Sequence, residues 1–213
     1  NIKEYYSLSE NKNTQNSRKS IFLQTKDCLK FINKNRVARY IIIASIFISI
    51  WICFCNFNSL WQPFLKELGL EEYKFGFIIT ISGILGIIAP YLSKLFKSNN
   101  KENRLVAYFV FGLIIISFFS IFANNYIFGA VIFILLMMLQ DIYIPLRENI
   151  FQNSIPSKIR ATTISFRSLI MSIGFIIATP IATFIAQNFG LRYTIGLSGI
   201  LLIPAIILYY KIK

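Results

Sequence analysis

Asp141 and Arg167 each lie inside a long apolar stretch, where an ionisable side chain is costly unless it is paired, hydrated or neutralised. At about 1.5 Å per residue, Asp141 falls roughly 20 to 23 Å across a hydrocarbon core of about 30 Å, and Arg167 about 10 Å in from the far side. The two depths agree. They are therefore expected to face each other on neighbouring helices, each offsetting the other's desolvation; Arg167 could instead snorkel to the headgroups.

Hydroxyl and small residues form a second pattern. Ser165, Ser168, Ser172, Thr179 and Thr183 fall within about 60° of one another at 100° per residue. Ser45, Ser49, Cys53, Asn56 and Ser59 repeat this more loosely, and Gly76, Thr80, Gly83, Gly86 and Pro90 share one broad face. Such stripes either join helices, with hydroxyls bonding back to backbone, or line an aqueous cavity, and both readings stand. The chain has no His, which removes imidazole bases and the commonest metal ligand. No enzymatic activity, metal or cofactor is expected. Cys28, Cys53 and Cys55 are read as packing residues, since they suggest no disulfide framework.

The elements that must position these residues are six apolar runs: Tyr40–Phe64, Phe75–Phe96, Val106–Ala123, Tyr126–Ile144, Ala161–Ala186 and Tyr193–Tyr210. Each is long enough to cross a bilayer as a helix that satisfies its own backbone. The fold class is all-α, a polytopic membrane protein of six transmembrane helices. Of the 22 Lys and Arg residues, only Lys66, Lys74 and Arg192 occupy the alternate gaps. The positive-inside rule then puts both termini in the cytoplasm of a cell-membrane protein. Topology and anionic headgroups also account for the net charge of +13, so no nucleic acid partner is expected.

Residues 1–37 form a separate region, expected to be a basic cytoplasmic loop, with 38–213 as the bundle. Asn1 to Ser20 is polar and poor in large apolar residues, a composition that does not order itself. From Ile21, the spacing of Phe22, Leu29 and Ile32 among Lys26, Lys30 and Lys34 predicts a short amphipathic helix on the membrane face, or otherwise a solvated linker. Opening on Asn rather than Met, this basic stretch looks like a loop interior to something longer.

The halves of the bundle echo each other. SGILGIIAP (Ser82 to Pro90) in the second run matches SIGFIIATP (Ser172 to Pro180) in the fifth, each in the middle helix of a three-span set. Gly and Pro interruptions at corresponding positions point to the internal repeats of secondary transporters.

WQPFLKELG (Trp61 to Gly69), Phe75-Gly76, and Pro145 followed by IPSKIRATTIS (Ile155 to Ser165) together resemble the second half of a bacterial major facilitator superfamily transporter. Ile21 to Tyr40 is similar to that family's loop between halves. The resemblance implies two six-helix bundles rocking around a central cavity, with this chain as the C-terminal bundle and an N-terminal six-helix half as its missing partner. It implies lining roles for Asn56, Ser82, Gln140, Ser168, Ser172 and Thr179, with Trp51 and Tyr143 able to stack on a small-molecule substrate. Asp141 becomes the proton-carrier candidate of this half. Pro145, Pro156 and Arg160 form the cytoplasmic-side motif, while Trp61 is expected to anchor at headgroup level. The loop YLSKLFKSNNKENR lacks the Gly and Asp of the family's gating signature.

The function expected is therefore secondary active transport, in the alternating-access manner, of a small solute, with proton-driven efflux of a lipophilic or cationic compound as the family tendency. The alternative is a membrane subunit or substrate-binding component of an ATP-driven transporter, though no G-x-x-x-x-G-K-[ST] loop is present. A membrane scaffold would scatter its polar residues rather than gather them into stripes.

Overall fold

A backbone in hydrocarbon has no water to bond, so each apolar run closes its hydrogen bonds within itself as a helix. A computed structural model of the chain describes residues 25–55, 60–95 and 102–212, and among them there is no strand. Residues 25–34 form α1. Then follow α2 (Arg36–Phe54), α3 (Trp61–Glu67), α4 (Lys74–Leu95), α5 (Glu102–Phe119), α6 (Tyr126–Asn153), α7 (Ser157–Phe189), α8 (Leu191–Ser198) and α9 (Ile203–Tyr210). A 3-10 turn, Gly199–Leu202, joins α8 to α9, so together they make one crossing. Six stretches are long and apolar enough to span a membrane.

Several boundaries differ from those expected. The first crossing ends at Phe54, and Trp61 opens a separate short helix. Trp61 is not a headgroup anchor: it is 1% exposed and packs edge-on against Phe64 and Phe133, both at 5.2 Å between ring centroids. The α6 helix runs on to Asn153, nine residues past the expected end, and α7 begins at Ser157. A helix can continue beyond its apolar run wherever its polar side chains find partners, and here they find one another. Asn35 and Asn125 start α2 and α6 by accepting hydrogen bonds from the amides of Ala38 (3.0 Å) and Phe128 (2.8 Å).

The helices pack in the sequence α4, α6, α5, α9, α2, α7. The middle helix of each three-span set thus packs on the first helix of the other set, α4 on α6 and α7 on α2. Two three-helix repeats exchanged about a pseudo-twofold give this arrangement, in line with the matching Gly and Pro positions. Close approach is set by small residues: Gly174 of α7 meets the Ser49 hydroxyl of α2, and Gly199 lies against the backbone of Ile114 in α5. As the ends of the series, α4 and α7 have 17% of their crossing buried, against 50% for α2.

The α1 helix turns Cys28 and Ile32 inward and leaves Leu29 exposed. The Cys28 thiol lies 3.4 Å from the Thr163 hydroxyl, and the Asn35 amide donates to the Ser154 carbonyl at 3.1 Å, which ties α1 to the junction of α6 and α7. Phe22 lies outside the described residues.

Candidate functional site

The open faces of α4 and α7 carry most of the unusual chemistry. On α7 the buried stripe is Thr163, Arg167, Ala178, Ala182 and Ala186, while Ser165, Ser168, Ser172 and Thr183 are exposed on another side. Ser172 and Thr183 donate back to the carbonyls of Ser168 and Thr179. Thr179 is half-buried and donates to the Cys53 sulfur at 3.4 Å. The α4 face with Gly76, Thr80, Gly83 and Pro90 is likewise exposed.

The stripe on α2 behaves differently. Ser45 and Ser49 are fully buried and donate to their own helix at Ile41 and Ile46. Here the hydroxyls are packing groups, with Ser49 set against Gly174 of α7. Asn56 and Ser59 lie outside the described residues.

Of the expected lining residues, Ser168 and Ser172 are exposed, Gln140 is half-buried, and Ser82 is buried, donating to the Ile79 carbonyl. Trp51 and Tyr143 are removed from any such surface. Trp51 is fully buried and donates its indole N–H to the Ser117 hydroxyl at 3.3 Å. Tyr143 is 1% exposed and shares a 2.6 Å hydrogen bond with Tyr209 of α9. Both rings were eligible by type, but large aromatics bury most area when they face their own bundle.

The expected pairing of Asp141 with Arg167 is also corrected. Arg167 bonds instead to Glu148, at 2.7 Å, and Arg147 reaches the same carboxylate oxygen at 2.6 Å. Glu148 lies seven residues beyond Asp141, two turns along nearly the same face of α6, so depth counting chose the right face at the wrong turn. Arg147 and Arg167 are both 6% exposed, stacked over Tyr143 at 5.2 Å and Phe151 at 4.5 Å. Sequence reasoning missed Glu148 and the buried role of Arg147 because the fourth run was ended at Ile144. The adjacent Arg and Glu just past that point were the available signal.

Asp141 has no hydrogen bond or ion pair among the described residues. Its Oδ2 sits against Gly86 of α4, 2.8 Å from where a Cβ would stand. In the cytoplasmic-side motif, Pro145 lies within α6, Pro156 precedes α7, and Arg160 donates to the Ile155 carbonyl at 3.3 Å. Arg160 therefore closes the α6–α7 turn.

The Major Facilitator Superfamily model matches residues 104–213, just over half of the chain. The chain belongs to the Major Facilitator Superfamily. It is also similar to the uncharacterized MFS-type transporter YxaM of Bacillus subtilis (strain 168), with 29% identity over 208 residues, covering 95% of this chain and 51% of that protein. The chain spans about half the length of the curated relative it matches. No solved structure matches it. The superfamily match takes in α5 to α9, and with them Asp141, the Arg147–Glu148–Arg167 cluster and the α7 stripe.

Proposed function

We propose that this chain is the C-terminal six-helix half of a secondary active transporter that moves a small solute by alternating access. A second, N-terminal six-helix half would cover the open faces of α4 and α7. The observation that carries this reading is the α7 stripe: hydroxyls at Ser165, Ser168 and Ser172 stand exposed on a helix only 17% buried. Ser172 donates back to the Ser168 carbonyl, but the Ser165 and Ser168 hydroxyls donate to nothing among the described residues, and lipid gives such groups no partner. A water-filled cavity or a second bundle does.

Within this reading, Ser168, Ser172 and Gln140 border the cavity. Asp141, unpaired and half-buried at the α4–α6 contact, is the group on which coupling to an ion would fall. Both termini face the cytoplasm of the cell membrane, following the distribution of Lys and Arg. Efflux of a lipophilic or cationic compound driven by protons remains the expected direction and solute class.

Cysteine labelling tests it. The three cysteines of this chain are buried, and the unsubstituted complete protein gives the background. Cysteines replacing Ser168 and Ser172 in the complete protein, in membranes, should react with a water-soluble thiol reagent. A cysteine replacing Ile177, exposed on the far side of the same helix, should stay silent. Equal silence at all three positions would sink the cavity.

A further inference from the structure

On the side of α7 turned away from its hydroxyl stripe, a groove runs between α7 and the crossing made by α8 and α9, with α2 as its floor. At 100° per residue, Ile177, Ile181 and Ile185 point roughly opposite to Ser165, Ser168 and Ser172. The groove holds two cavities that share Phe54 and Leu201, one of about 880 Å³ near the α7–α8 turn and one of about 520 Å³ beyond it. On α7 they reach from Ile170 to Asn188, about 27 Å along the helix and close to the full hydrocarbon thickness of about 30 Å. The larger cavity alone extends from Tyr193 to Leu201, about 12 to 14 Å, or about one leaflet.

What fills this space is decided by side, depth and lining. The second half of the transporter is needed over the hydroxyl stripe, so it cannot also cover the opposite side of α7. Another helix in hydrocarbon associates through small residues that let backbones approach and through polar side chains that bond across. The larger cavity is walled instead by bulky groups, Phe54, Ile185, Phe189, Leu197, Ile200 and Leu201. Its two hydroxyls, Thr194 and Ser198, are 4% and 2% exposed and donate to the carbonyls of Gly190 and Ile195. A flexible chain of methylenes needs no polar partner, conforms to bulky walls and follows a path one leaflet long. Asn188 and Tyr193 stand exposed at the outer mouth, where an aromatic ring with a polar tip sits at headgroup level. We propose that the larger cavity holds an acyl chain of one outer-leaflet phospholipid as a resident ligand. The proposal rests on the transporter reading for which side of α7 faces lipid, but its test is an equilibrium measurement that does not depend on transport.

The complete protein, purified in detergent and stripped of lipid, is titrated with dioleoylphosphatidylcholine, whose zwitterionic headgroup brings no net charge to the basic cytoplasmic side. Native mass spectrometry counts the adducts. The wild type should gain a first adduct saturably. Leu197→Trp and Ile200→Trp, which fill the cavity with an indole, should raise the half-saturating dose at least about tenfold. Phe111→Trp, exposed on α5 outside the groove, should leave it unchanged. Tyr193→Trp at the mouth keeps the test decisive if the filling variants fail to fold: lipid brominated in its chains should quench that indole at a lower dose than the one in Phe111→Trp. Filling variants that take up lipid as the wild type does, or equal quenching at both reporters, would overturn the seat. So would a wild-type dimer that the filling variants dissociate, since a second copy would then own the groove. If the lipid responds as stated but Ser168→Cys and Ser172→Cys stay silent to thiol reagent, the aqueous cavity fails and the lipid seat stands. If they label and lipid binding ignores the groove, the reverse holds.

Discussion

Among the described residues Glu148 is the one carboxylate bonded to two buried guanidinium groups, so its replacement should cost more than the replacement of either arginine. Both Arg147 and Arg167 donate to one Glu148 oxygen, at 2.6 and 2.7 Å, with charge centres about 4 Å apart. At an effective dielectric constant of about 20 each pair attracts by about 4 kcal/mol. Part of that attraction is spent on dehydrating Glu148, whose side chain remains 24% exposed. Glu148→Gln orphans two cations that are each 6% exposed, and a loss of about 3 to 5 kcal/mol is expected, the range for breaking a buried pair. Arg167→Gln leaves Arg147 and Glu148 as a matched pair and should cost about 1 kcal/mol.

The double variant Glu148→Gln/Arg167→Gln leaves one unpaired guanidinium rather than two. It should therefore be more stable than Glu148→Gln alone, with a coupling energy of about 2 kcal/mol. Unfolding of the complete protein in mixed micelles, followed by intrinsic fluorescence, gives all four corners of the cycle. The companion cycle, Asp141→Asn with Arg167→Gln, should be additive within about 0.5 kcal/mol, as for sites without a shared partner. Coupling in that second cycle and none in the first would refute the assignment and restore the original pairing.

Three further outcomes concern single substitutions. Gly86→Ala sets a methyl against the mobile end of Asp141, at 2.8 Å, whereas Gly199→Ala meets the Ile114 backbone at 3.1 Å; the first should change thermal stability by less than about 1 kcal/mol and the second lower it by about 1 to 3 kcal/mol. Tyr209→Phe leaves the buried Tyr143 hydroxyl without its 2.6 Å partner and should lower stability by about 1 to 2 kcal/mol in the same unfolding assay. Gly69 holds φ at 92° after α3, so Gly69→Ala should cost about 1 to 2 kcal/mol, while Gly69→Asn, which tolerates that conformation better, should cost less.

The crossings and the six-helix class were legible because hydrocarbon admits few backbone solutions, and apolar length alone announces them. Which face of a helix meets which neighbour was not. The stripes on α2 and α7 have nearly the same residue types and spacing, yet Ser45 and Ser49 are buried while Ser168 and Ser172 are exposed. Periodicity fixes the angle between residues on one helix and says nothing about what stands opposite. That depends on α2 holding an interior place in the series and α7 its end, which only the packing of all six reveals.

Aliasing along the helix axis explains the misplaced ion pair. Residues seven apart differ by about 20° in direction but by about 10 Å in depth, so face-based reasoning cannot choose between Asp141 and Glu148 as the partner of Arg167. Once Glu148 takes that arginine, Asp141 is left without a cation among the described residues, beside Gly86. The charge assignment at one end of α6 thus decides the chemistry available two turns away. Had Arg167 reached Asp141, the carboxylate would have been neutralised within the bundle, and Glu148 would have been left to Arg147 alone.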